Sequence, residues 1–502
     1  MITDPDAKPR FLGMTPFAAA LLIIGVTTAF RLFYATWLPM LPDETYYLQW
    51  ARHLDFSYLS KGPGVAYAIA IGTAFFGSNN FGVRLFAVLL SAGTAWQIFL
   101  LARRWYDDIT ALMAVLIAGV VPLYAVGAVV MTIDPLSAFF WLWAANFFSR
   151  ALLKHGKHGV TNWVMAGFAV GCGFLAKYLN ALELVSFLAF LLIVPARRKH
   201  LARRGFWLML LTAALFTTPV LWWNSQHDWI GFGNLMNRGH LGDHGPFKIS
   251  PTTFLDFLAM QAVVMSPLLF MAMMASVYIS CARKFSRRDG SLNEGELLLF
   301  ILFVPVFAMY AVLSWHLHCE PNWPVISYLS LIVILASHWR KLLLARRSAQ
   351  PFIILTFGVA WLQTLLMQDT SWLPLPAKSD PMSRVAGWRE IADRVEDLRE
   401  SQQADVLITD AYKEASVFSY YLPHQQFIYT LRHTPPANQY DLWPGYKEAH
   451  PKRALWITGE ATPAAMEGEF NSITWLERDY VYFRGVRLRE YDIYMCENKP
   501  QP

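Results

Sequence analysis

Apolar residues in this chain fall into long blocks with few interruptions. Stretches such as Phe139–Phe148 and Leu297–Leu313 have no polar face, whereas a helix half-buried in a soluble protein carries one. At roughly 20 apolar residues per crossing, the pattern predicts about eleven membrane-spanning helices. Their approximate spans are 15–37, 81–101, 110–126, 134–152, 160–176, 181–194, 205–222, 254–280, 296–313, 323–338 and 351–367. From about Asp369 the pattern changes. Pro374, Pro376 and Pro381 mark a linker. Trp388, Ile391, Val395 and Leu398 then recur at helical spacing between charges. Short apolar runs at 404–408, 427–431 and 454–458 read as strands, 412–422 as a helix and 473–495 as a β-rich end. The expected fold is a polytopic α-helical membrane protein with a small C-terminal α/β domain. Its expected divisions are a transmembrane domain (1–368), a linker (369–385) and a non-cytoplasmic domain (386–502).

Composition and charge sharpen this picture. Of 502 residues, 55% are hydrophobic and only 16% charged, against about a quarter charged in soluble chains. A net charge of +6 does not imply a nucleic-acid partner, because the basic residues sit between apolar blocks. Arg103–Arg104, Lys154–Lys157, Arg197–Arg204, Arg283–Arg288 and Arg340–Arg347 fall in alternate connections, which marks that side cytoplasmic. A cytoplasmic N-terminus and an odd number of spans place the C-terminal domain outside. Residues 1–13 lack a cleavage site, so the first block reads as a retained helix. Cys172, Cys281, Cys319 and Cys496 have no metal-ligand spacing; Cys319 and Cys496 share the outer side, although scattered structural cysteines are the simpler reading. With no Walker-type loop, nucleotide fingerprint or internal repeat, any reaction is expected to use a donor that reaches the outer face.

The unusual residues cluster in the outer connections. Asp43 and Glu44 follow the first span and suit cation binding or general-base work, or simply the start of an interfacial helix. Tyr46 and Tyr47 follow them. Lys61, in the Ser60-Lys61-Gly62-Pro63-Gly64 turn, is placed to meet a lipid phosphate. Asp134, before Pro135, caps a helix at the same outer edge; Asp43 and Asp134 are candidates to share a divalent metal or divide acid and base roles. Lys177 stands against the positive-inside trend, which suits an anion partner or a snorkelling lysine. Arg238, His240, Asp243 and His244 lie in a long Gly-containing loop, where His240-x-x-Asp243-His244 reads either as a metal motif or as flexible chain. Glu320 adds another acid in the last outer loop. Their common location suggests a pocket between membrane and outer domain.

These residues resemble the dolichyl-phosphate-mannose protein mannosyltransferase family, and its bacterial branch of lipid A aminoarabinose and galacturonic acid transferases in particular. The resemblance is carried by Asp43-Glu44-Thr45-Tyr46-Tyr47, Lys61-Gly62-Pro63, the 76–85 stretch and Thr132-Ile133-Asp134-Pro135. Lys177-Tyr178, Gln226-His227-Asp228-Trp229, Glu320-Pro321-Asn322-Trp323-Pro324 and Asn438-Gln439-Tyr440-Asp441-Leu442-Trp443-Pro444 add to it. It implies a C-type glycosyltransferase fold, an active site facing the periplasm of a bacterial inner membrane, and a sugar donor on polyprenyl phosphate. It places the family's catalytic or metal-associated carboxylate on Asp43 with Glu44 beside it, a second acid on Asp134 and a phosphate-facing base on Lys61. Ser60 and Gly62 depart from relatives, which often carry an acid, His or Lys followed by two prolines.

The expected chemistry is displacement at the anomeric carbon, with Asp43 taking the acceptor's proton. Lys61, Lys177 and Arg238 would meet the leaving phosphate, and Tyr46, Tyr47, His240 and Glu320 would line the acceptor pocket. A lipid A-like lipid, another glycan or a protein is the expected acceptor. The rival readings are a transporter or flippase for lipid-linked sugars, for which Glu183 is the nearest intramembrane charge, and a non-catalytic protein that binds them.

Overall fold

A computed structural model describes residues 11, 13–153, 157–238, 249–286, 293–459 and 462–498. Among them, eight helices are long and apolar enough to cross a membrane. They are Pro16–Trp37, Asn80–Trp105, Ile133–Leu153, Gly159–Ala176, Arg204–Gln226, Glu294–Leu313, Val325–Ala345 and Arg347–Gln368. Pro251–Met265 and Pro267–Ala282 are two further apolar helices, bent by 110° at the break between them. Shorter apolar helices at Asp108–Val120 and Tyr178–Ile193 occupy the two remaining expected spans.

Two local departures from the expected pattern have plain causes. The expected straight span over 254–280 breaks at Ser266, whose φ of 71 lies in the left-handed region, and Pro267 cannot donate to the preceding turn. The segment after Gly62, expected as outer loop, contains a helix, Gly64–Phe76. Its 13 residues fall short of a crossing length. It packs so closely on the next helix that a Cβ on Gly72 would lie 2.2 Å from the Gly82 carbonyl oxygen.

The C-terminal domain is a five-stranded sheet with helices Trp388–Ser401 and Tyr412–Tyr421. Its strands are β1 (Val406–Thr409), β2 (Tyr429–Thr430), β3 (Arg453–Thr458), β4 (Ser472–Phe483) and β5 (Val486–Glu497), in the order β2-β1-β3-β5-β4. β1 runs parallel to β2 and β3, with Ile408 opposite Trp456. β5 joins antiparallel to β3 and forms a hairpin with β4. Trp388, Ile391, Val395 and Leu398 are buried, as the helical spacing predicts. Residues 369–385 form one-turn helices at Thr370–Trp372, Ala377–Ser379 and Pro381–Arg384. Arg484, at the β4–β5 turn, pairs with buried Asp380 and donates to the Leu373 carbonyl, fastening the hairpin to that segment.

Packing joins the domain to the membrane part. One core fills the helix bundle around Trp141, Phe148, Phe187 and Tyr328. A second contains Tyr46, Trp50 and Met131 together with Trp388, Phe418, Tyr440 and Tyr491. The C-terminal domain therefore shares a core with the segment after the first span rather than resting on it through a linker alone. All four cysteines are free; Cys319 belongs to the bundle core and Cys496 to a cluster in the sheet.

Candidate active site

The helix after the first span, Pro42–Arg52, organises the site. Pro42 at its first position supplies a helical φ without an orphan N–H, and Asp43 and Glu44 occupy the first turn, where the helix dipole favours negative charge. The two acids then diverge. Glu44 is fully buried against Arg84, whose Nε donates to Oε1 at 2.7 Å. The Leu41 and Met131 backbone N–H groups also donate to it, at 3.1 and 2.9 Å. Arg84 donates as well to the carbonyls of Ala35 at 3.1 Å and Pro39 at 2.8 Å. Asp43 is exposed and makes no hydrogen bond or ion pair with the described residues.

Four positions on from Asp43, on the same helical face, stands Tyr47. Its hydroxyl accepts from Lys61 Nζ at 2.5 Å, and the ammonium lies 5.2 Å from the ring centroid. Lys61 reaches this place because its turn sits on the backbone of the helix that ends at Ala176. A Cβ on Gly62 would lie 2.3 Å from the Leu175 carbonyl oxygen. The glycine that departs from the family pattern is therefore what admits this close approach.

Just beyond Ala176, Lys177 Nζ donates to Asp134 Oδ1 at 2.9 Å and to the Trp323 carbonyl at 3.2 Å. Asn322 Nδ2 donates to the other Asp134 oxygen at 2.7 Å. Three outer segments, distant in sequence, thus meet on one carboxylate. The pair is only partly covered, with side chains 10% and 16% exposed for Lys177 and Asp134. The Glu44–Met131 bond ties this group to helix Pro42–Arg52. Leu41, Thr132, Asp134 and Asn322 open on one cavity of about 250 Å³.

The remaining expected residues spread out. Tyr46 turns towards the outer domain: its hydroxyl accepts from the Gln439 backbone N–H at 2.8 Å, and its ring lies 4.4 Å from that of Tyr412. Burial pushes the Tyr46 phenol well up, so it stays neutral. Glu320 is exposed in the last outer loop. Arg238 ends the helix Ile230–Arg238, but its side chain lies outside the described parts. His240, Asp243 and His244 lie outside the described residues. His227 stacks on Trp223 at 4.0 Å, and Trp223 Nε1 donates to Asp55 at 2.7 Å, linking that loop to the first.

A divalent ion needs free oxygen ligands. At Asp134 an ammonium and an amide already engage both oxygens, and no group of three or more His, Cys, Asp or Glu gathers among the described residues. The residues at Asp134 fit an ammonium partner rather than a divalent metal.

Asn322, Arg84 and Gln439 emerge as site or support residues that residue-by-residue reading did not single out. Each lies inside a stretch carrying the family resemblance. For Arg84 there is also a direct signal, since an ionisable residue in an apolar span requires a partner.

A cluster of acids and lysines lies over a helix bundle closed by a small sheet domain, an architecture that has the fold of the C-type membrane glycosyltransferases. The model of the dolichyl-phosphate-mannose-protein mannosyltransferase family matches residues 60–223, about a third of the chain. Relatives of the chain include the lipid A galacturonosyltransferase RgtD of Rhizobium johnstonii, 27% identical over 79% of this chain and 81% of the relative. An undecaprenyl phosphate-alpha-4-amino-4-deoxy-L-arabinose arabinosyl transferase of Pseudomonas aeruginosa is 31% identical over 36% of this chain and 35% of its own. The fold matches ArnT from Cupriavidus metallidurans bound to undecaprenyl phosphate, at a TM-score of 0.64 and 15% identity over 94% of this chain and 97% of that one. It also matches an oligosaccharyltransferase of Archaeoglobus fulgidus, at a TM-score of 0.52 and 13% identity over 87% of this chain and 68% of that one.

Proposed function

We propose that this protein transfers a sugar from a polyprenyl-phosphate donor to a lipid acceptor of the lipid A type at the outer face of a bacterial inner membrane. The observation that carries this is the arrangement at that face. An exposed carboxylate, Asp43, shares a helix face with Tyr47, which holds Lys61, while a second lysine, Lys177, stands on a neighbouring carboxylate. The names of the relatives, for lipid A and undecaprenyl phosphate, support the choice of substrates. The basic clusters at the opposite connections support a cytoplasmic N-terminus and a periplasmic C-terminal domain.

In this reading an acceptor oxygen attacks the anomeric carbon. The bond from that carbon to the phosphate oxygen breaks, and its electron pair leaves with the polyprenyl phosphate. Asp43 is the general base: it is exposed and takes the proton of an acceptor hydroxyl. Lys61 and Lys177 stabilise charge growing on the departing phosphate, where partial exclusion of water strengthens them. Asp134 orients Lys177. Glu44 does not touch substrate and positions Asp43 through Arg84. Tyr46 supports the domain junction, while Tyr47 and Glu320 border the acceptor space.

The test uses the full-length protein in lipid nanodiscs with radiolabelled polyprenyl-phosphate sugars, beside Asp43→Asn. Label should leave the donor with the parent protein and remain on it with the variant. Full activity in Asp43→Asn would remove the base assignment. A folded parent that turns over no donor would favour a transporter or binding protein.

A further inference from the structure

The helix Pro16–Trp37 carries Arg31 six residues before its outer end, about 9 Å below it at 1.5 Å per residue. A guanidinium at such depth is costly unless an anion compensates it. Among the described residues its one hydrogen bond is a long one, 3.4 Å to Ser91 Oγ on the neighbouring span, and it has no ion pair. Contact with Ser91 shows that it turns into the bundle rather than towards the lipid, so snorkelling does not account for it.

Arg31 lines the cavity of about 250 Å³ that reaches Asp134 and Asn322 at its outer end. Much of its remaining wall is apolar, with Ile24, Ile98, Val115 and Leu329 among its residues. An apolar cavity of about 150 Å³ takes up a benzene molecule, so this one has room for a short run of hydrocarbon chain. Asp134 does not neutralise Arg31, because Lys177 and Asn322 already hold both of its oxygens. The cavity therefore has an apolar body and an uncompensated positive charge. That combination suits an amphiphile with an acid group.

We infer that this cavity receives the acceptor lipid, its phosphate on Arg31 and part of a hydrocarbon chain along the apolar wall. The inference rests on the transferase reading above. There the donor's single phosphate belongs to Lys61 and Lys177 at the outer face, so the charge on Arg31 serves a second anion. Arg31 is thus a specificity residue: it selects a phosphate-bearing acceptor and presents it below the Asp43 edge.

The test pairs two measurements on the full-length protein in nanodiscs. The first is equilibrium binding, without any donor, of phosphate-bearing lipid A and of the same lipid A after phosphatase treatment. The second is steady-state transfer with varied acceptor and varied donor. Arg31→Gln should weaken binding of the phosphate-bearing lipid about ten-fold or more, the effect of losing a charge-assisted hydrogen bond. It should abolish the preference over the dephosphorylated lipid, while KM for the donor stays within about two-fold. Arg31→Lys, which keeps the charge, should recover much of the preference. Unchanged acceptor preference in Arg31→Gln would overturn the inference. So would a selective rise in donor KM, which would assign Arg31 to the carrier lipid instead. The donor-free binding decides the cavity even if no donor turns over, whereas absent turnover in the parent counts against the transferase reading alone.

Discussion

Two ion pairs at the same end of the helix bundle, joined through the Glu44–Met131 bond, are built in opposite ways. Glu44 and Arg84 are wholly buried, and further backbone bonds fill the capacity of both groups. Asp134 and Lys177 are partly open and come from separate helix ends, and Asp134 borders a cavity. The first pair has nothing left to offer a substrate. It joins the end of the first span, helix Pro42–Arg52 and the segment before Asp134 into one unit. The second keeps an ammonium at the edge of open space, where approaching phosphate charge can be stabilised. Burial and saturation, rather than residue type, separate the frame from the working groups.

The largest effect should come from the open side. Asp43→Asn keeps the size of the side chain and removes the base, and should lower transfer about 10²- to 10⁴-fold with no change in thermal unfolding. Labelled donor and a melting curve on the same sample decide it. A drop in melting temperature that parallels the activity loss would make Asp43 part of the frame as well.

The buried pair should answer the other way. Arg84→Met leaves Glu44 charged and enclosed, and should destabilise the protein by about 3–5 kcal/mol, read by thermal unfolding in lipid. Arg84→Met combined with Glu44→Met replaces the pair with apolar side chains. It should recover most of that stability, although Asp43 then loses part of its support. If the double variant is no more stable than the single one, the pair does more than hold these segments together.

Sequence alone made much of this legible, because the strongest signals are periodic. Long apolar blocks, alternating basic connections and the 388–398 amphipathic pattern each depend on many residues, and the bundle and sheet domain follow from them. Helix Gly64–Phe76 and the break at Ser266 were less visible, since one is too short for a crossing and the other needs only a single unusual φ. At the site, Asp43, Lys61, Asp134 and Lys177 stood out by type and place. Their partners did not: the Asp134–Asn322 bond joins positions 188 apart, and no local spacing encodes such contacts. Glu44 looked like its neighbour Asp43 because burial is a tertiary property.

A smaller effect should appear at the turn that seats Lys61. Gly62→Ala sets a Cβ against the Leu175 carbonyl, which is backbone and yields poorly, so strain of about 1–3 kcal/mol is expected. Because Ser60 and Lys61 are only half-buried, part of that strain should be relieved by shifting Lys61 away from Tyr47. Donor KM should then rise several-fold while the acceptor KM holds. Equal changes in both would mean that the turn supports the whole face rather than Lys61.

The smallest effect should come from Asn322, which divides the open pair from the frame most finely. Its amide holds one Asp134 oxygen while Lys177 holds the other. In Asn322→Leu the carboxylate loses one neutral donor, worth about 0.5–1.5 kcal/mol, and gains freedom to rotate towards Lys177. The ammonium would then be drawn more firmly to Asp134 and less to an incoming phosphate. A fall in kcat of about two- to ten-fold with little change in melting temperature is the expected outcome. Asn322→Asp tests the same point with the opposite electrostatics. A second carboxylate there should hold Lys177 still more tightly and depress kcat further, most strongly at low salt, where the added charge is least screened. If Asn322→Asp proves as active as the parent, Lys177 does not meet the phosphate, and the open pair is a second frame.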